Sequence, residues 1–113
     1  MPKRPVLGLT EKITVIGPEK KKTVMARIDT GATKSSIDVA LAADLKLGPV
    51  ISKKLVKSAS GTIMRPVIKA KVTLIRKNFN EEFTLAERSH LKYPVLIGQN
   101  ILKKEKFLID PLK

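Results

Sequence analysis

An apolar run rich in β-branched residues leads directly into an acidic residue, a hydroxyl and a glycine. The run is Thr23–Ile28, and Asp29-Thr30-Gly31 follow it without a break. An ionised carboxylate loses several kcal/mol of solvation free energy when it is buried without partners, so a core strand rarely ends this way. Two explanations fit the pattern. Either Asp29 and Gly31 form an ordinary Asx turn, or the strand delivers the carboxylate to a cleft.

The second explanation has a clear chemical purpose. An aspartic peptidase needs a carboxylate on a rigid strand end, held in place by local hydrogen bonds. The Thr30 hydroxyl can both donate and accept, and Gly31 lets the backbone turn tightly against another segment. The triplet by itself occurs by chance in on the order of a few per cent of chains this long, so it does not decide between the two explanations.

Composition restricts the fold class and the kinds of site. The chain has 113 residues, 42% of them apolar and 4% aromatic, which indicates one globular domain with a core of Val, Ile and Leu. There is no cysteine, and His90 is the only histidine. A disulfide framework and a thiolate metal site are therefore excluded, and we expect neither a metal nor a cofactor.

The apolar segments are too short to cross a membrane. None approaches the roughly 20 residues of a spanning helix, and Met1–Val6 contains no apolar signal-peptide region. We therefore expect a soluble cytoplasmic protein with no membrane partner.

The chain is strongly basic, with 23 Lys and Arg against 10 Asp and Glu and a formal charge of +13. Such a balance favours polyanions, including nucleic acid and acidic protein substrates. The cations are spread along the chain, however, and Lys20–Lys22 is the only tight run. The few aromatic residues form no RNA-binding signature. We interpret the charge as a solvated basic surface and do not expect nucleic acid to be the partner.

Two hairpins are predicted from alternating apolar residues. The first joins strands at 11–17 and 23–28 through a polar turn at 18–22, with the lysines at its exposed tip. The second joins strands at 50–57 and 63–75 through the small residues Ser58–Thr62. This tip fits either a mobile flap over an active site or an ordinary turn, because glycine permits both.

The segment from Ser35 to Pro49 fits two interpretations. In one, Ser35 and Asp38 form a capping box, and a helix runs from about Ser36 to Leu45 before Gly48-Pro49 ends it. In the other, a strand over 35–38 precedes a shorter helix. The sequence slightly favours the longer helix, and both interpretations stay open.

The remaining chain completes an all-β pattern. The expected elements are a turn at 77–80, a strand at 82–86, an apolar strand within 93–100, a helical turn at 101–104 and a strand at 106–111. Six or more short strands with regular turns and little helix indicate a small closed β-barrel or a sandwich.

Several phrases together resemble a known family. The strand ending in Asp29-Thr30-Gly31-Ala32, the glycine-bearing tip at Ser60-Gly61 and the segment 95–100 resemble the retropepsins, which are single-domain aspartic peptidases. The phrases 26–32, 88–98 and 107–111 are similar to a retropepsin-like family labelled putative ATP-dependent zinc proteases. Members of that family often accompany RimK-type ligases that add glutamate to ribosomal protein. The likeness extends from about Leu7 to Pro111 and implies one domain, 1–113, with a small closed β-barrel and one or two short helices.

The resemblance also implies an activity and a set of site residues. Two copies of the chain would each supply one Asp29, and the pair would share a proton and activate a water to hydrolyse a peptide bond. The implied catalytic residues are Asp29, Thr30 and Gly31. The implied substrate-binding residues are Ala32 in the cleft wall and Ser60, Gly61 and Thr62 at the flap tip. The implied structural support comes from Ile97 and Gly98.

The chain departs from the family pattern in ways that matter. Retropepsins usually carry arginine after the second glycine, where it ties the dimer together, and this chain has Gln99. One histidine and no cysteine give no support to the zinc label, and the absence of a P-loop places any ATP dependence outside this chain. The alternative function is a non-catalytic retropepsin-like module that binds a protein or ribosomal partner.

Overall fold

A computed structural model of the protein describes residues 4–58 and 61–113. Within these residues it contains nine strands and two short helices. In chain order they are β1 (Val6–Leu7), β2 (Thr10–Ile16), β3 (Lys21–Ile28), β4 (Ser36–Asp38), α1 (Val39–Asp44), β5 (Ser52–Ser58), β6 (Gly61–Leu74), β7 (Lys77–Ala86), β8 (Val95–Ile97), α2 (Gln99–Lys104) and β9 (Leu108–Ile109).

Six of the strands form a closed barrel. Their order is β2-β3-β8-β4-β7-β6, and antiparallel pairing of β2 with β6 closes the sheet. The strand β5 pairs only with β6 in this order, so the two form a hairpin that continues beyond the barrel. The strands β1 and β9 form a separate parallel pair. The prediction of a small closed β-barrel with one or two short helices is confirmed.

Alternation along the strands builds the core. In β6, Ile68, Ala70, Val72 and Leu74 are buried, whereas the lysines between them are exposed. The core is almost wholly aliphatic, as the composition predicts, with Phe83 and Phe107 as its buried aromatic residues in the described part of the chain. Each buried Val, Leu or Ile side chain contributes about 1.5–3 kcal/mol relative to exposure, so this stripe stabilises the barrel.

Both predicted hairpins are present, but two turns lie elsewhere than expected. In the first, a bond from the Gly17 N–H to the Lys20 carbonyl closes the turn, and Lys21 already pairs with Ile16. The lysine run therefore belongs mostly to β3 rather than to the tip. The turn predicted at 77–80 is wrong, because those residues begin β7. The chain reverses at Ile75-Arg76, both at positive φ, a two-residue turn whose twist matches the flanking strands.

The segment after Ser35 follows the strand-then-helix interpretation, and the helix beginning at Ser36 is wrong. Ile37 pairs with β7 on one side and with β8 on the other. These ladder bonds on both edges favour the strand over three further residues, nearly one turn, of helix. Asp38, rather than Ser35, caps α1 by accepting a bond from the Leu41 N–H at 3.3 Å.

The last elements differ from the expectation mainly in length. The helix α2 begins at Gln99 instead of residue 101, and β9 is two residues long. Among the described residues, no helix is both long and apolar enough to span a membrane.

The second hairpin pairs β5 with β6 from Ser52↔Val67 to Ser58↔Gly61. Gly61 has a φ of 121°, a conformation that side-chain-bearing residues rarely adopt. Residues 59 and 60 of the predicted tip lie outside the described residues. The hairpin carries exposed apolar side chains at Leu55, Ile63 and Met64.

Gly17 provides a test of the packing between the first hairpin and α1. A Cβ added there would overlap the Leu45 carbonyl oxygen and lie 3.0 Å from the Lys20 carbonyl oxygen. We expect Gly17→Ala to lower the free energy of unfolding by about 1–3 kcal/mol, because backbone on both sides would have to move. Urea denaturation of the variant measures this change.

The matched control is Gly8→Ala, where the nearest atoms to an added Cβ lie at 3.5 Å. That variant should stay within about 0.5 kcal/mol of the wild type. Equal unfolding midpoints for the two variants would contradict the packing described here.

Candidate active site

Asp29 stands at the carboxyl end of β3, where the barrel holds its backbone. β3 runs parallel to β8, with Ile28 opposite Ile97. The Asp29 N–H extends this ladder by donating to the Ile97 carbonyl at 2.9 Å. Ile28 and Ile97 are both buried, whereas Asp29 is half-buried. A rigid strand pair therefore presents a carboxylate at the edge of the core.

The loop after Asp29 holds its side chain. The Gly31 N–H donates to Asp29 Oδ1 at 2.9 Å, and the Ala32 N–H reaches the Asp29 carbonyl at 3.3 Å. Thr30 and Gly31 are exposed, and Ala32 is half-buried. A Cβ added at Gly31 would lie 3.3 Å from Asp29 Oδ1, closer than most such contacts. One carboxylate oxygen thus has a fixed donor.

Gly98 lies directly beneath this loop. A Cβ there would overlap the Lys34 carbonyl and lie 2.8 Å from the Ala32 carbonyl oxygen. The Gly98 N–H donates to Ser35 Oγ at 2.9 Å, and Ser35 is fully buried. The Ser35 hydroxyl in turn donates to Asn100 Oδ1 at 2.7 Å. Only glycine at position 98 allows the loop and the start of α2 to approach this closely.

The first residues of α2 bind the loop from below. The Gln99 N–H donates to the Ala32 carbonyl at 2.8 Å, and Gln99 Nε2 donates to the Thr30 carbonyl at 2.8 Å. The Asn100 N–H donates to the Thr33 carbonyl at 3.2 Å. Several carbonyls of the loop that follows Asp29 are therefore satisfied by two consecutive residues of one helix.

Arg88 lies close to several charged groups near the Asp29 loop. Arg88 donates from Nε to the Tyr93 carbonyl at 3.0 Å, and its backbone N–H donates to Asp38 Oδ1 at 2.9 Å. Partial burial lowers the pKa of the Arg88 guanidinium, and the positive charge of Arg65 lowers it further. The negative charge of Asp38 raises the pKa of Arg88 and so opposes this shift. Weaker effects come from Arg27, which lowers the pKa, and from Asp29, which raises it. Arg27, Arg65 and Asp29 therefore each lie near enough to Arg88 to interact with it.

Asp38, the other carboxylate of this segment, has a structural role. Asp38 is only 6% exposed and accepts bonds from the backbone N–H groups of Leu41 and Arg88. It caps α1 and anchors the segment that leads to Tyr93. A single chain therefore presents Asp29 as the carboxylate at this loop, with Asp38 committed to structure.

The structure brings together six of the predicted site residues. They are Asp29, Thr30, Gly31, Ala32, Ile97 and Gly98. Gly61 and Thr62 lie at the far end of the hairpin, both exposed, and Ser60 lies outside the described residues. Arg65, in β6 of this hairpin, interacts with Arg88, which also interacts with Asp29.

Sequence reasoning missed the arginine cluster and the support from Ser35 and Asn100. The three arginines are separated by 38 and 23 positions, so no local pattern joins them. Ser35 and Asn100 each follow a predicted site glycine closely, and a search for small polar residues beside Gly31 and Gly98 would have found them.

The residues do not fit a zinc ion. In residues 4–58 and 61–113 no group of three or more His, Cys, Asp or Glu side chains is placed to hold a metal.

Comparison with solved structures shows the fold. The chain superposes on a protein of unknown function from Legionella pneumophila with a TM-score of 0.71 and 20% identity, covering 98% of this chain and 96% of that one. It also matches EIAV protease in complex with the inhibitor HBY-793, with a TM-score of 0.69 and 17% identity over 95% and 92% of the two chains. Simian foamy virus (mac) protease gives a TM-score of 0.61 at 17% identity, over 83% and 91%.

Comparison of sequences identifies the family. No curated protein matches the sequence significantly. A family model described as RimB-like, retropepsin-like aspartic endopeptidase RimB, matches residues 41–113. The match covers more than half of the chain and includes Gly98 and α2, but it begins after the Asp29 loop. The chain belongs to the RimB-like family of retropepsin-like aspartic endopeptidases.

Proposed function

We propose that the protein is a homodimeric aspartic endopeptidase with Asp29 as its catalytic residue. The observation that carries the proposal is the Asp29 carboxylate at the end of β3, with one oxygen bound by the Gly31 N–H at 2.9 Å. A carboxylate that is rigidly held yet half-exposed suits acid–base chemistry on a bound substrate. The retropepsin-like fold and the family support the same class of reaction.

In the proposed mechanism, the two Asp29 carboxylates share one proton, because two like charges a few ångströms apart cannot both ionise easily. The ionised group takes a proton from a water, whose oxygen attacks the scissile carbonyl carbon. The protonated group gives its proton to the carbonyl oxygen, forming a neutral tetrahedral diol. Collapse of the diol breaks the C–N bond, with one proton passing to the leaving amine.

The second carboxylate must come from a second copy. Asp38 is buried and is used by Leu41 and Arg88, so one chain offers half of the catalytic pair. In the proposed dimer Thr30 bonds across the two-fold axis, and Ala32 lines the cleft. The hairpin tip, Ser60 with Gly61 and Thr62, covers the substrate. The whole unit is one domain, 1–113, acting in the cytoplasm without zinc or ATP.

The arginine cluster supports an acidic peptide as substrate. Arg27 and Arg65 each repel Arg88, and this repulsion helps to lower the pKa of the Arg88 guanidinium. A carboxylate bound among them would relieve the repulsion and form charge-assisted hydrogen bonds. We therefore propose that glutamate or aspartate side chains flank the bond that is cleaved.

The catalytic role of Asp29 is tested by Asn substitution. Asp29→Asn keeps the shape and the acceptor for the Gly31 N–H but cannot share a proton. We expect wild type to cleave members of a diverse peptide library between acid and neutral pH, and the variant to lose at least about 10³-fold in kcat, since the acid–base pair is removed. Product formation is followed by mass spectrometry.

Dimer dependence is tested through protein concentration. Because each site needs two chains, specific activity should rise with concentration and level off where sedimentation velocity shows the dimer. A mixture with excess Asp29→Asn chains should lose activity, since mixed dimers hold one complete carboxylate. Specific activity that stays constant in a monomeric sample would contradict the shared site.

The acidic preference is tested by Arg65→Gln. We expect kcat/KM for a peptide with glutamate beside the cleaved bond to fall about fivefold at low salt, on the order of 1 kcal/mol for one lost charge contact. A matched peptide with glutamine should change less than twofold. The control is Arg76→Gln, an exposed arginine in the turn between β6 and β7. Equal losses on both peptides would contradict the charge contact.

The binding-module alternative has a defined outcome. If a sample shown to be dimeric cleaves no library member in either the wild-type or the Asp29→Asn form, the peptidase proposal fails. Retention of an acidic peptide by the same sample, lost in Arg65→Gln, would then favour a module that binds without cleavage.

A further inference from the structure

We propose that Gln99 is a positioning residue that orients the Asp29 carboxylate through a single peptide group. The inference rests on the proposed function, since it assigns a role in that site. It concerns the position at which this chain has glutamine in place of the arginine usual in retropepsins.

The peptide between Thr30 and Gly31 is held at both ends. Its carbonyl accepts a bond from Gln99 Nε2 at 2.8 Å, and its N–H donates to Asp29 Oδ1 at 2.9 Å. A peptide group is planar, and its C=O and N–H point in opposite directions. The direction of the N–H that holds the carboxylate is therefore set by the amide that holds the carbonyl.

The same arrangement strengthens the donor. A hydrogen bond accepted by a peptide carbonyl polarises the group and makes its N–H a better donor. Asp29 Oδ1 is thereby kept as an acceptor, which leaves Oδ2 to carry or receive the shared proton. Gln99 acts on the reacting group without touching it.

Gln99 is itself fixed by the fold. It is the first residue of α2, and its own N–H binds the Ala32 carbonyl at 2.8 Å. The buried residues Ile101 and Leu102 anchor the helix in the core. Gln99 therefore binds the carbonyls on both sides of Gly31 from a rigid support, and its side chain needs to place only one amide.

Three substitutions separate the amide donor from the shape of the side chain. Gln99→Met keeps the length and removes the donor. Gln99→Glu keeps the shape, lacks a donor while ionised and regains one when protonated, below about pH 4.3 for an unperturbed glutamate. Gln99→Arg restores a donor at every pH. Asn80→Asp, an exposed amide-to-carboxylate change on β7, is the matched control.

Two readouts are measured at concentrations where the protein is dimeric. The first is kcat and KM on a cleaved peptide, and the second is hydrogen exchange of the Gly31 amide by NMR, which needs no activity. We expect Gln99→Met to lower kcat about tenfold with KM within twofold, and to speed Gly31 exchange by a similar factor. Gln99→Glu should match Gln99→Met at neutral pH and approach the wild type below pH 4. Gln99→Arg and Asn80→Asp should stay near the wild type in Gly31 exchange.

The outcomes distinguish this inference from the proposed function. If the wild type cleaves and Gln99→Met retains both its kcat and its slow Gly31 exchange, the positioning role is wrong and the peptidase stands. If the wild type does not cleave, the peptidase fails, and Gly31 exchange alone decides whether Gln99 holds the peptide. If Gln99→Met unfolds, the test uses Gln99→Glu instead. In that variant the protonated form, which has a donor, is the reference for the ionised form, which has none. In Gln99→Glu, the Gly31 exchange rate should approach that of the wild type as the pH falls. If the ratio of the two rates does not change with pH, the positioning role is wrong.

Discussion

The parallel pairing of β3 with β8 is the constraint on which the rest of the site depends. It joins Ile28 to Ile97 and lets the Asp29 N–H bind the Ile97 carbonyl, so the ends of two strands far apart in sequence coincide. The loop that follows Asp29 therefore packs against Gly98 and the start of α2. A slip of one residue would turn each side chain to the opposite face and separate Asp29 from Gly98. The buried side chains on both strands make such a slip costly.

Close approach below the loop depends on small residues and complete hydrogen bonding. Gly98 leaves room for the Lys34 and Ala32 carbonyls, and the buried Ser35 hydroxyl both accepts from the Gly98 N–H and donates to Asn100. A buried polar group that lost its partner would cost about 1–3 kcal/mol, so the loss of any one of these hydrogen bonds would destabilise the loop. The result is a loop whose backbone has little freedom while its outer face stays open to solvent.

The barrel and the position of Asp29 were predictable because both follow from local patterns, namely alternating apolar residues and a strand that ends in Asp-Thr-Gly. The reversal at Ile75-Arg76 was not, because a β-branched residue at positive φ contradicts local preference and is imposed by strand pairing. The sequence slightly favoured the longer helix after Ser35, and pairing on both edges of β4 decided for the strand. Arg27 in β3, Arg65 in β6 and Arg88 in the loop after β7 are far apart in sequence, so only the folded barrel brings the first two close to Arg88.

Charge gives a reason for an amide at position 99. In each copy of the chain, Arg88 interacts with Asp29 and with the guanidiniums of Arg27 and Arg65, so positive charge already lies near the proposed site. An arginine at position 99 would add a further cation close to that carboxylate and favour its ionised form over the protonated form that the shared proton requires. Glutamine supplies the donor that the Thr30 carbonyl needs and adds no charge. In the proposed dimer, the cations would then remain available to an acidic peptide.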